Sequence, residues 1–192
     1  DAGAEPRELL AAIKAETLRL TRLSEQYLSM ARRPRPALVS EDVGDLVREV
    51  LVFIEPELAR AKVELSTDIE EGLAEIPLDE SLVRQALLNL VRNAREAMSE
   101  GGKLTVRVSA AVGGGVDLVV EDDGPGIPEE LRASVFEAFF TTKQRGTGLG
   151  LAMTREIVEA HRGSIACEPA EPRGTRVVIH LPGEELTPPP AS

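Results

Sequence analysis

The C-terminal half of the chain groups its strand-like runs in adjacent pairs, and that grouping limits the folds open to it. LTVRVSAAV (104–112) and VDLVVED (116–122) alternate apolar and polar residues around Gly113-Gly114-Gly115, the pattern of a hairpin. SIACEPA (164–170) and TRVVIHL (175–181) make a second pair around a loop at 171–174. Earlier strands are expected at 62–69 (KVELSTDI) and near 74–78. Successive strands joined by short loops run antiparallel, whereas a doubly wound parallel sheet needs a helix between them. The expected fold class is therefore α+β, a two-layer sandwich with helices over one face of the sheet.

Three helices supply that layer. One is expected over 43–60, with Ser40 or Asp42 as its N-cap and Pro56 as a possible kink. The second, 80–99, follows Asp79 as cap and presents Leu82, Val83, Ala86, Leu87, Leu90, Val91 and Ala94 on one face, with Gly101-Gly102 as its stop. The third is expected at 149–161, after a Gly- and Pro-rich irregular stretch at 123–148.

Ahead of this unit, residues 6–32 read as one long helix. Leu9, Ile13, Leu20, Leu23, Tyr27 and Met30 recur at four- and three-residue steps, the seam of a coiled coil or bundle, although packing on the chain's own domain gives the same pattern. Arg33-Pro34-Arg35-Pro36 ends it. The charge divides in the same place. Of 22 basic and 33 acidic side chains, residues 1–36 hold seven and five, which leaves the remainder strongly acidic. The expected organisation is 1–36 as a helical element with linker, 37–183 as the main domain and 184–192 as a disordered tail.

The net charge of −11 argues against sequence-blind binding to nucleic acid and against an anionic membrane surface, both of which want basic patches. No apolar run approaches the ~20 residues of a membrane span. One cysteine, Cys167, is compatible with a reducing compartment. The first residue is Asp1 rather than Met, which reads as a piece of a longer protein.

Three short patterns carry candidate chemistry. Asn89 and Asn93 lie four apart, hence on one face of the second helix, where a carboxamide oxygen suits Mg²⁺ or bridging water. Asp122 ends a strand and is followed by Gly124 and Gly126, a carboxylate able to accept from the exocyclic amine of a base beside glycines that permit close approach. Gly146, Gly148 and Gly150 precede a helix, where free N–H groups bind phosphate oxygens; Lys143, Arg145 and Thr147 add donors.

Each pattern alone is commonplace. In this order, with VFEAFFTTK (135–143) before GTGLGL (146–151), they resemble the nucleotide-binding domain of the GHKL ATPase superfamily, a two-layer α/β sandwich of the Bergerat type. The resemblance covers roughly 40–182 and looks most like bacterial sensor histidine kinases of the nitrogen-regulation and dicarboxylate-sensor type. It implies ATP and Mg²⁺ as ligands, Asn93 on the metal, Asn89 supporting the phosphate shell and Asp122 reading adenine. Gly124, Gly126 and Ile127 would shape the base pocket, and Phe136, Phe139 and Phe140 would anchor a lid. Lys143, Arg145, Gly146, Thr147, Gly148, Leu149 and Gly150 would lie along the phosphates. The Thr175 hydroxyl, after Gly174, would back Asp122. Ala138, Asp123 and Arg173 depart from the usual Pro, Asn and Gly.

The family's phosphoacceptor histidine, on the first helix of a dimeric hairpin, has no match here: His161 follows the glycine-box helix and His180 lies mid-strand. Helix 6–32, through Glu16, Arg19 and Leu20, resembles the second helix of that hairpin. The implied function is the ATP-binding catalytic domain of a cytoplasmic kinase region that dimerises through the helical bundle and serves a response-regulator receiver domain. The alternatives are a GHKL-type ATPase, against which Asn89 stands where a glutamate would be needed, and a non-catalytic nucleotide-gated module.

Overall fold

The structure, a computed structural model, describes residues 9, 10, 13, 14, 17, 34–143 and 146–183. The chain divides into two compact units, Asp1–Pro34 and Arg35–Ser192. In the first, Leu9, Leu10, Ile13, Lys14 and Thr17 are helical, and the Thr17 hydroxyl donates to the Ile13 carbonyl (2.9 Å). The rest of the expected helix 6–32, with Glu16, Arg19 and Leu20, and the expected tail at 184–192 lie outside the described residues.

The second unit runs β1 (Val39–Glu41), α1 (Val43–Arg60), β2 (Val63–Ile69), β3 (Ile76–Leu78), α2 (Glu80–Ala97), β4 (Gly102–Ala110), β5 (Val116–Asp122), α3 (Glu129–Arg132), α4 (Gly150–Ala160), β6 (Ser164–Pro169) and β7 (Thr175–Leu181). Five strands form one sheet in the order β2-β4-β5-β7-β6, and β1 pairs antiparallel with β3 beside it. The two expected hairpins are present, with Ala110 opposite Val116 and Pro169 opposite Thr175. Two features depart from the expectation. β1 was not anticipated, and β2 pairs parallel with β4, Val63 opposite Gly102, so the sheet is mixed. That parallel pair is the crossover that encloses β3 and α2.

Aliphatic side chains build the core, as a chain poor in aromatics requires. Val116, Leu118 and Val120 of β5 alternate inward against Val47, Val50, Leu51 and Ile54 of α1 and Leu87, Leu90 and Val91 of α2. α1 runs through Pro56 without a break, and Asp42, not Ser40, caps it, its side chain accepting from Asp45 N–H. The opposite face of the sheet is polar. Arg107 meets Glu121 at 3.0 Å, and His180 Nδ1 lies 2.9 Å from Asp117 Oδ1.

Asp79 and His161, distant in sequence, set how α2 and α4 meet. The Asp79 carboxylate caps α2 through Leu82 N–H (3.1 Å) and also accepts from Ala37 N–H (3.0 Å). Burial would raise its pKa, but hydrogen bonds from Ser81, Ala37 and Leu82 outweigh burial and hold it below the ordinary value. The Asp79 backbone N–H donates to His161 Nε2 (2.9 Å), so that nitrogen carries no proton and Nδ1–H donates to the Ile157 carbonyl (2.7 Å). His161, 4 % exposed, is thus a neutral pin between the start of α2 and the end of α4. His161→Ala strands the Asp79 N–H and opens a cavity, so urea unfolding of the variant is expected to show a loss of about 2 kcal/mol.

Candidate functional site

α2 and α4 pack antiparallel. Asp79 at the start of α2 meets His161 at the end of α4, and Asn89 Nδ2 donates to the Gly150 carbonyl (3.3 Å) at the other end. Between them Gln85 Nε2 lies 2.9 Å from Met153 Sδ. This register sets the amide face of α2 across the N-terminus of α4. A methyl group built on Gly150 would sit 3.7 Å from Asn93 Nδ2. No side chain of the cap residue Leu149 covers the first turn of α4, and that turn holds no acidic residue. Thr147 Oγ1 instead accepts from Leu149 N–H (3.2 Å). N–H groups left without helical acceptors and the positive end of the helix dipole favour an anion at this point.

One turn beyond Asn93, α2 reaches the second part of the site. Ala97 Cβ lies 3.4 Å from where a Cβ of Gly124 would stand, and the same added atom would be 2.8 Å from Asp122 Oδ1. Gly174, at φ +116°, presses on the Asp122 carbonyl oxygen, and any side chain there would overlap it. Asp122 is 7 % exposed. Its Oδ1 accepts from Gly124 N–H (3.0 Å), and the backbone N–H of Thr175 also donates to it. Thr175 thus reaches Asp122 through its backbone N–H. Burial pushes the Asp122 carboxyl above its ordinary pKa, with those two donors and Lys143 opposing and Asp123 adding to the rise.

Ile127 is half-buried, its carbonyl held by Arg132 Nε (3.0 Å), an interaction with no sequence signal because α3 is a single turn. Asp123, in place of the usual Asn, accepts from Lys103 N–H (2.8 Å) and ties β4 to the end of β5. Phe136 is buried at 7 %, Phe140 is half-buried and Phe139 is 63 % exposed. The backbone of Phe139 makes the structural contact: its N–H donates to the Gly148 carbonyl (2.9 Å), closing the loop between them. Gly146, Thr147 and Gly148 follow as half-buried residues leading to buried Leu149. Lys143 is drawn to Glu96 on α2, a residue that was not singled out although its spacing from Asn93 was visible. Arg145 lies outside the described residues.

A sandwich of this build, with an amide helix laid across a glycine-led helix, defines an ATPase-type nucleotide domain. The chain belongs to that family: residues 78–185 match the histidine kinase-, DNA gyrase B-, and HSP90-like ATPases. Sensor histidine kinase ZraS of Escherichia coli O157:H7 is 34 % identical over 181 residues, which are 94 % of this chain and 39 % of ZraS. Full-length ShkA, solved with AMPPNP, matches with a TM-score of 0.82 at 30 % identity over 93 % of this chain and 39 % of that one. Histidine kinase ThkA, solved with the response regulator TrrA, matches with a TM-score of 0.81 at 28 % identity over 96 % of this chain and 53 % of that one.

The raised Asp122 pKa has a definite sign for stability. The folded state holds the proton more tightly than the unfolded chain, so the Asp122 contribution falls as pH rises from about 3.9, the ordinary aspartate value, through the folded one. Asp122→Asn removes this titration. In urea unfolding at a series of pH values, the nucleotide-free variant is expected to gain on the wild type as pH increases.

Proposed function

We propose that residues 37–183 are the ATP-binding catalytic domain of a two-component sensor histidine kinase, that 1–36 belong to its dimerisation element and that 184–192 are a tail. The observation that carries this reading is the apposition of Asn93 to Gly150 at a helix N-terminus free of acidic residues and of a side-chain cap. In an acidic chain, that is a local site for a polyphosphate.

In this reading Asp122 accepts from the adenine amino group, Gly124, Gly126 and Ile127 shape the base pocket, and Phe140 anchors the lid. Asn89, Asn93 and the segment Gly146-Thr147-Gly148-Leu149-Gly150 take the phosphates, with Lys143 and Arg145 as cations and Thr175 behind Asp122. No group of three or more His, Cys, Asp or Glu able to hold a metal is found among the described residues. The Asn93 carboxamide oxygen is a hard donor that a cation would share with phosphate oxygens, a set that fits Mg²⁺. Bound there, Mg²⁺ neutralises phosphate charge. The chain's own part is to fix the polyphosphate through backbone N–H groups, so that charge developing on the transferred phosphoryl group meets donors already in place.

The acceptor would be a histidine outside this chain. His161 has both ring nitrogens engaged, and His180 is paired with Asp117 on the polar face of the sheet. The phosphoryl group would then pass to a response-regulator aspartate, and two copies would associate through the helical bundle. No helix among the described residues is long and apolar enough to cross a membrane; the proposed place of this part is the cytoplasm, as its role beside a response regulator requires.

Calorimetry is expected to show Mg-ATP binding that EDTA weakens and that Asn93→Ala reduces about tenfold or more, the scale of one lost interaction with a charged group. Incubation with γ-labelled ATP should leave this chain unlabelled and label an added kinase helix that bears the acceptor histidine. Label on His161 or His180 would defeat the reading, and steady phosphate release without an acceptor would favour hydrolysis instead.

A further inference from the structure

Glu96 follows Asn93 by three residues on α2, so both side chains project from one face of the helix. A carboxylate at that point opposes a polyanion. The structure gives it a partner: Lys143 Nζ lies 2.7 Å from Glu96 Oε2. Two bonds fix the backbone that presents the lysine. Lys143 N–H donates to Thr141 Oγ1 (3.1 Å), and Gly146 N–H donates to the Lys143 carbonyl (3.1 Å). Arg95 Nη2 stands 3.8 Å from Glu96 Oε1 while its Nη1 bonds Glu57 on α1, so a second cation remains beside Glu96 if Lys143 leaves.

We infer that Glu96 and Lys143 form a charge latch between α2 and the turn that carries Lys143, and that nucleotide entry moves Lys143 from the Glu96 carboxylate to the phosphates. This rests on the nucleotide reading proposed above and adds a competition internal to the site. With no nucleotide bound, Lys143 neutralises a carboxylate on the face of α2 that carries Asn93 and holds its own turn against that helix. A bound polyphosphate offers the ammonium more charge than one carboxylate does, and Arg95 then shields Glu96. Glu96 is a positioning residue, acting on the ligand through Lys143. Both side chains keep some two-fifths of their surface in solvent, 40 % for Lys143 and 45 % for Glu96, so water and salt hold the effect to a few-fold.

The test is a double-mutant cycle on the whole chain, with Mg-ATP titrated calorimetrically into wild type, Glu96→Gln, Lys143→Met and the double variant. Hydrogen exchange of the Lys143 and Gly146 amides is followed in the nucleotide-free proteins. Glu96→Gln is expected to bind Mg-ATP about two- to fivefold tighter and Lys143→Met more weakly, with no gain from Glu96→Gln once Lys143 is gone. The two amides should exchange about two- to fivefold faster in Glu96→Gln. An equal gain with and without Lys143 would reduce Glu96 to a distant charge and overturn the latch, as would unchanged exchange. Absence of Mg-ATP binding by the wild type would overturn the nucleotide reading itself. Wild-type binding with additive variants overturns the latch alone.

Discussion

The antiparallel contact between α2 and α4 is the constraint on which the site depends. Ala86 of α2 packs with Met153 and Ile157 of α4 in a small apolar cluster, and polar bonds pin both ends. Because α4 is held along its length, its first turn has a fixed address beneath Asn89 and Asn93. A helix dipole acts only within about its terminal turn, so a small shift of α4 would waste it. The chain as a whole, at −11, repels phosphate. Attraction must be built from groups at contact distance, and the helix pair supplies the geometry for it.

The end of β5 at Asp122 is built on a different principle. Asp122 is buried and held by backbone donors, while Gly124 and Gly174 crowd it so closely that neither position has room for a side chain. Its raised pKa shows that the fold carries a desolvation cost there. In the reading proposed above, a carboxylate kept short of solvent is poised to accept from a ligand. Local instability at a functional position is the common compromise between folding and binding.

Much of this was legible in the sequence, for physical reasons that differ by element. α1, α2, β5 and β7 were readable because amphipathic periodicity and caps such as Asp79 are local signals. The glycine box and Asp122 were readable because the order of the motifs narrows the family. β1 is three residues long and exists only through its pairing with β3, a contact that leaves no local trace. The parallel pairing of β2 with β4 depends on the path of a crossover, which strand patterns do not encode. His161 was visible as a residue but not as a pin, since its partner Asp79 lies 82 positions away. Glu96 was not singled out, since its partner Lys143 lies 47 positions away. The exposure of Phe139 reflects a backbone role that side-chain identity does not announce.

That backbone role bears on how such a domain can diverge. The Phe139–Gly148 hydrogen bond ties off the intervening segment at its base, with Phe139 at φ +68° and Gly148 at φ +66°. The entropy of closing a loop grows only logarithmically with length, about 0.6 kcal/mol for each doubling. Residues inserted within the tie would lengthen that segment without breaking the bond that closes it. Length in that segment is therefore cheap, whereas a shift of α4 would cost the contacts that hold it to α2.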